Sequence, residues 1–399
     1  MATAQDQLAV ADDLFAGGHF AAAEQSYAAV LALDAQNAHA MARLGYLALL
    51  ANRLDQARHW LTQAIAAQPA EPAPQAHLAE AYCRADDFAA AAPLLRAIGR
   101  ETRADKLELF QGQTPYAVES AHPISTLPFV VTDPLPIVQV RVNESPPVNF
   151  LIDTGAADVV LDPALADEVG ARIVGESQGT FAGGKTAPVR QGGVDLLTLG
   201  DFTVRNLPVA ILDTRPFAQI LGGLRIDGIL GTVLFYHFLT TLDYPGSQLV
   251  LRRKPAASRQ LFQETGAVEV PFWLAGDHFI LAHGTVNQSS PKLFLVDTGM
   301  AGGGFTCSEA TLQEAGIELD ESQAREGIGG GGKVKLIPFT VQRLALGEAV
   351  QEEIRGLFSG PLPLGKVFGF SIDGLISHAF FRPYALTLDF DAMKLYLEE

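Results

Sequence analysis

Phe150-Leu-Ile-Asp-Thr-Gly-Ala156 is an apolar, strand-like run that ends on an acid, a hydroxyl and a glycine. The same run returns 144 residues later as Phe294-Leu-Val-Asp-Thr-Gly-Met300. An apolar strand that ends in a carboxylate is unusual, because an isolated charge is poorly tolerated in an apolar surround. Two copies in one chain suggest that Asp153 and Asp297 face each other across a twofold axis and share a proton.

The sequence around the two runs is also written twice. Val142-Asn-Glu-Ser-Pro-Pro147 corresponds to Val286-Asn-Gln-Ser-Ser-Pro291, and Leu199-Gly200 to Leu346-Gly347. Ile226-Asp-Gly-Ile-Leu-Gly231 corresponds to Ile372-Asp-Gly-Leu-Ile-Ser377. Thr241-Leu-Asp-Tyr244 corresponds to Thr387-Leu-Asp-Phe390, and an alternating strand follows each (Gln248–Leu251, Lys394–Leu397). Six blocks in one order, with offsets of 144 to 147, indicate an internal duplication. Short β-rich runs between Gly, Pro and Asn turns read as all-β. Two lobes are expected, at 123–254 and 266–399, joined by a polar loop from Lys254 onward.

Duplication would set the two Asp-Thr-Gly turns symmetrically at the lobe interface. Two carboxyls a few ångströms apart cannot both ionise cheaply, so one proton is shared and their acidities split. The charged member can take a proton from water while the neutral member donates to a carbonyl oxygen. Thr154 and Thr298 can hydrogen-bond across the axis. Gly155 and Gly299 allow close backbone approach and an N–H to each carboxylate.

With these residues in place, 123–399 resembles the aspartic peptidases of the retropepsin and pepsin kind. The resemblance rests on Asp153-Thr154-Gly155-Ala156, on Asp297-Thr298-Gly299, and on Asp227-Gly-Ile-Leu-Gly231, which is similar to that family's hydrophobic–hydrophobic–Gly element. It implies Asp153 and Asp297 as catalytic residues, with Thr154, Gly155, Thr298 and Gly299 in support. It also implies two flap hairpins at 179–187 and 327–335, with Gly183, Gly184, Lys185, Gly330, Gly331 and Gly332 near substrate. No cofactor or metal is required, and the substrate is a peptide or protein. Three positions depart from the pattern. Ser377 stands where Gly is expected, Met300 is bulkier than Ala156, and the first flap has no Tyr. An inactive peptide-binding module of the same fold, acting as an adaptor, is the alternative these departures leave open.

Other signals carry less. Gly179-Thr-Phe-Ala-Gly-Gly184-Lys185-Thr186 matches a phosphate-binding loop. That loop must open a helix, which Pro188 and Gly192-Gly193 forbid. Asp227 and Asp373 form a second symmetric acid pair but read as turn residues before Gly, and Asp243 and Asp389 read as structural. His237, His278, His283 and His378 fit no metal or triad spacing, and no Gly-x-Ser-x-Gly elbow is present.

Residues 4–105 differ in texture. They are rich in Ala, follow helical spacing and repeat with a period of 34. Val10, Leu44 and Leu78 are equivalent, as are Ala11, Gly45 and Ala79; Ala23, Ala57 and Ala91; and Tyr27, Leu61 and Leu95. This resembles three tetratricopeptide repeats, at 4–37, 38–71 and 72–105. The resemblance implies a concave face for a protein or peptide partner; a packed spacer is the other reading. Residues 106–122 read as a connector broken by Gly112, Pro115 and Pro123. The expected architecture is therefore an all-α tetratricopeptide-type solenoid followed by an all-β, two-lobe aspartic-peptidase fold with pseudo-twofold symmetry.

The totals agree with a multidomain folded protein: 399 residues, 48% apolar and 18% charged. A net charge of −17 argues against nucleic-acid binding, which needs a basic surface. Two cysteines allow no disulfide framework and read as free thiols. No run is long and apolar enough to span a membrane. The N-terminus lacks a basic region followed by an apolar one, so a cytoplasmic location is expected. A trimmed export signal would reverse that expectation.

Overall fold

Small residues at fixed places let helices approach closely, and the first hundred residues place them every 34 positions. The computed structural model describes residues 3–181, 185–254, 262, 265–329, 332–360 and 364–399. Its helices are α1 (Ala4–Ala16), α2 (Phe20–Leu33), α3 (Ala38–Leu50), α4 (Leu54–Ala67), α5 (Pro72–Cys83), α6 (Phe88–Ala97) and α7 (Glu101–Glu108). Three hairpins repeat one geometry. Gly18, Asn52 and Asp86, spaced by 34, take positive φ in the turns. The next amides, of His19, Arg53 and Asp87, donate to Leu14, Ala48 and Tyr82, which keep the same spacing. Ala11, Ala79, Ala23, Ala57 and Ala91 are fully buried between helices, with Tyr27, Leu61 and Leu95 filling behind them. Caps mark the starts: Thr3 with Asp6 for α1, Asn37 for α3, Asp87 for α6 and Pro72 in the first turn of α5. Among the described residues no helix is long and apolar enough to cross a membrane.

The chain divides into two compact units. The first gathers Met1–Gln111 with Trp273–Asp277 and Pro363–Ile372. Within it, the Phe370 ring meets Phe15 and Phe20 edge-on at 5.6 and 4.9 Å. Arg84 donates to the carbonyls of Leu49, Leu274 and Gly276, and Arg103 bonds Glu80 at 2.8 Å and Asp277 at 3.4 Å. Within 106–122, α7 runs to Glu108 and Ala117–Glu119 forms a strand. Two segments from the 266–399 stretch cluster with the helices.

The second unit is β-rich. Its first half holds β1 (Ala117–Glu119), β2 (Ile124–Pro128), β3 (Ile137–Val142), β4 (Val148–Ile152), β5 (Val159–Leu161) and β6 (Arg172–Phe181). It continues with β7 (Lys185–Leu199), β8 (Phe202–Ile211), β9 (Gly228–Leu230), β10 (Leu239–Asp243) and β11 (Gln248–Arg252). The second half holds β12 (Val268–Ala275, the first unit taking it from Trp273), β13 (Phe279–Val286), β14 (Lys292–Asp297), β15 (Phe305–Cys307) and β16 (Arg325–Gly329). It ends with β17 (Gly332–Leu346), β18 (Ala349–Phe358), β19 (Gly374–Ser377), β20 (Ala385–Asp389) and β21 (Lys394–Glu398).

Strands run β1-β8-β5-β9-β4-β3-β7-β6 in the first half, and a β7–β8 pairing curls that sheet into a barrel-like form. The second half runs β16-β17-β18-β15-β19-β14-β13, with β13–β17 as the corresponding pairing. Between them, β12-β21-β20-β10-β11-β2 draws strands from both halves. Its seam is the antiparallel β10–β20 pair, where the buried Thr241 and Thr387 hydroxyls meet at 2.7 Å.

Several bonds recur in both halves. Asn143 and Asn287 both take positive φ. Their amides donate to Val169 and Ala315 at 2.8 Å each, and Ser145 and Ser289 accept from Val142 and Val286. Asp227 and Asp373 each hold the neighbouring strand, accepting from the amides of Asn149 and Leu293 at 3.0 and 3.1 Å. These two acids are structural, as their turn positions suggested. Cys83 and Cys307 are free thiols, which burial pushes up to about 12 in pKa.

Candidate active site

Each Asp-Thr-Gly turn is delivered by a central strand. β4 pairs in parallel with β9, and β14 with β19, so each strand is flanked by buried chain before it opens into the turn. Phe150, Leu151 and Ile152 are buried, as are Leu293 to Val296. These apolar strands anchor the turns.

The threonines join the two turns. The Thr154 amide donates to Thr298 Oγ1 at 3.1 Å, and the Thr298 amide donates to Thr154 Oγ1 at 3.0 Å. Each hydroxyl donates onward to a carbonyl of the opposite strand, Thr154 to Val296 at 3.0 Å and Thr298 to Ile152 at 3.1 Å. Both residues are completely buried, so four polar groups with no access to water satisfy one another.

The glycines cross over as well. A Cβ on Gly155 would stand 2.6–2.7 Å from the Asp297 carboxyl, and one on Gly299 would stand 2.3–2.5 Å from the Asp153 carboxyl. No side chain fits at either place. The Gly155 amide donates to Asp153 Oδ1 at 2.8 Å, and the Gly299 amide to Asp297 Oδ1 at 2.7 Å.

The two carboxyls lie within hydrogen-bond reach of each other. Burial raises the pKa of Asp153 well above the carboxylate range, and the charge of Asp297 adds to that rise. Burial also raises Asp297, against the opposing pull of the Gly299 amide, the hydrogen bond from Asp153 and the charge of His278. Two carboxyls so placed cannot both ionise cheaply, which favours one proton held between them. This arrangement provides a base and an acid side by side.

The two expected flaps fall on hairpins. β6 and β7 pair from Arg172↔Gly193 to Phe181↔Lys185, and β16 and β17 from Arg325↔Leu336 to Gly329↔Gly332. Lys185 and Gly332 thus open the returning strands. Gly183, Gly184, Gly330 and Gly331 lie outside the described residues. A strand, not a helix, follows Lys185, so the phosphate-loop pattern has no structural counterpart. Phe181 packs with Ala156, Ala301, Phe217, Ile220 and Leu224 against a buried cluster that includes Leu151, Val189 and Ile229. This gives the site an apolar wall that spacing alone did not reveal.

Two contributors were missed in the sequence. His278 acts electrostatically on Asp297, and no motif marked it. Ser377 bonds into the second turn; its signal was the departure from Gly at that position.

A family model described as aspartyl protease matches residues 138–234. The match contains the Asp153 turn and Gly231, and it supports protease activity at the level of the class. The Asp297 turn lies outside it. No curated protein matches the chain.

Proposed function

We propose that the protein is an aspartic endopeptidase that hydrolyses peptide bonds by activating water between Asp153 and Asp297. The observation that supports this reading is the mutual bonding of the two Asp-Thr-Gly turns, with both carboxyls buried and raised in pKa, as a pair sharing one proton would be. Water bound between them loses a proton to the charged carboxylate as its oxygen attacks the scissile carbonyl. The protonated partner donates to the carbonyl oxygen. The resulting diol collapses, with a proton passed to the leaving amine, and no covalent enzyme intermediate forms.

Thr154, Gly155, Thr298 and Gly299 hold the geometry in this proposal. The β6–β7 and β16–β17 hairpins serve as flaps, and Phe181 with its apolar neighbours takes substrate side chains. The two halves act as pseudo-twofold lobes. The helices act as a tetratricopeptide-type array, an inference from the spacing of Gly18, Asn52 and Asp86 and of the buried small residues.

The test is cleavage of a diverse peptide library by the wild type and by Asp153→Asn and Asp297→Asn. Each substitution is expected to lower kcat by about 1,000-fold, within the range typical of lost acid–base catalysis. Either variant cleaving like the wild type would sink the assignment. Activity should follow a bell in pH, because the working state carries one proton: it falls in acid as the pair gains a second and in base as it loses the last.

A further inference from the structure

The two Asp-Thr-Gly turns are closed differently. In the first, the Ala156 amide donates directly to the Asp153 carbonyl at 3.2 Å, and that amide also favours the Asp153 anion. In the second, the Met300 amide donates instead to Ser377 Oγ at 3.2 Å, and Ser377 Oγ donates to the Asp297 carbonyl. A hydroxyl has been inserted into the closing bond of the turn. Ser377 is completely buried, and its backbone lies in register beside Asp297.

The counterpart in the first lobe cannot do this. A Cβ on Gly231 would meet the carbonyl oxygens of Asp158 and Ala157 at 2.2 and 2.5 Å. There the next residue supplies the hydroxyl: Thr232 Oγ1 donates to the Thr154 carbonyl at 2.9 Å. The residue after Ser377 is His378, which has no hydroxyl. The bracing hydroxyl has thus moved by one residue between lobes, and with it the backbone group that it holds.

We propose that Ser377 is a positioning residue for Asp297: its hydroxyl relays the closure of the second turn and holds the Met300 amide away from the carboxylate, making the two carboxyls inequivalent. The proposal rests on the reading of Asp153 and Asp297 as a coupled pair. With one fewer backbone amide at its carboxylate, Asp297 is set apart from Asp153 before substrate binds. The acid and base roles are then divided by the protein.

The experiment follows the carboxyl carbons of the full chain labelled with 13C-aspartate through a pH titration, with Asp153→Asn and Asp297→Asn for assignment. Ser377→Ala and Ser377→Gly remove the hydroxyl, and Ser377→Thr keeps it. In both hydroxyl-free variants the Met300 amide is released toward the carboxylate, as the Ala156 amide is in the first lobe. The upper titration step of the pair should fall by about half a unit or more, since an added N–H favours the anion. Ser377→Thr should restore it. Where a peptide is cleaved, kcat should fall about ten-fold with KM nearly unchanged, the pattern of a loss felt in the transition state. Ser377→Gly copies the first lobe's own residue and guards against misfolding of Ser377→Ala; circular dichroism verifies the fold of each variant. A coupled titration that stays unchanged in a folded hydroxyl-free variant overturns the proposal. Absence of coupling in the wild type would instead overturn the paired-aspartate reading, and this proposal with it.

Discussion

Thr154 and Thr298, 144 residues apart, each give an amide to the other's hydroxyl, at 3.1 and 3.0 Å. The exchange is sealed from water, since both residues are fully buried. Replacing either hydroxyl strands the opposite amide and removes a donor from Val296 or Ile152. Thr154→Ala or Thr298→Ala should therefore destabilise by about 1–3 kcal/mol, and Thr→Ser should cost less. Urea unfolding of the four variants checks this; equal losses for Ala and Ser would mean that methyl packing dominates.

Gly299→Ala puts a methyl group into the space of the Asp153 carboxyl, 2.3–2.5 Å away. The carboxyl or the turn must move. A shift on the order of 1 Å at reacting groups lowers rate by about 100-fold. Steady-state kinetics should show that loss in kcat, with Gly155→Ala similar through Asp297.

His278 acts on Asp297 in the direction of the anion when it is charged. His278→Gln removes that charge. The lower titration step of the pair then rises, and the acid limb of the kcat profile should move to higher pH by roughly half a unit. A limb that stays in place would show that this charge is screened.

His378 is buried beside Asp133 and Arg382, with its Nδ1 unpartnered, and burial lowers its pKa from 6.5 to about 4. A lowered folded pKa means that the unfolded chain binds the proton more readily. The contribution to stability is complete above pH 6.5 and is lost as pH falls toward 4. The full loss is about 3 kcal/mol. His378→Thr, the first lobe's residue, should narrow the gap between urea stabilities measured at about pH 7.5 and about pH 4.5. An unchanged gap would exclude His378 as a source of acid sensitivity.

Phe370 is 2% exposed and packs among Phe15, Phe20 and Tyr46. Phe370→Ala should cost about 3–5 kcal/mol, as aromatic truncations in cores do. Proteolysis of native protein should then cut near 364–372 first. Resistance equal to wild type would show that other contacts secure the segment.

Residue identity made much of this legible before any coordinates. Gly155, Gly231 and Gly299 sit where carbonyl or carboxyl oxygens leave no room for a Cβ. The 34-residue spacing of Gly18, Asn52 and Asp86 marks positions that need positive φ. Such local demands select residue types, so they leave a trace in the sequence. Ser377 left only a departure from pattern, because any small residue could stand there; its hydroxyl acquired a role from where the Met300 amide points.

The sequence by itself determined that there are two Asp-Thr-Gly strands, a duplicated β-region and a helical repeat, since each is a periodic or local constraint on residue type. Tertiary structure alone decided how these meet. The β10–β20 seam, the crossing of Thr154 with Thr298, the hydroxyl relay at Ser377 and the residence of 273–277 and 363–372 with the helices all join residues far apart in the chain. The physical reason is that such contacts are chosen by shape and by the need to satisfy buried polar groups. Many residue types could meet those needs, so the two runs that begin at Phe150 and Phe294 announce the carboxylates but not the bonds that join their turns.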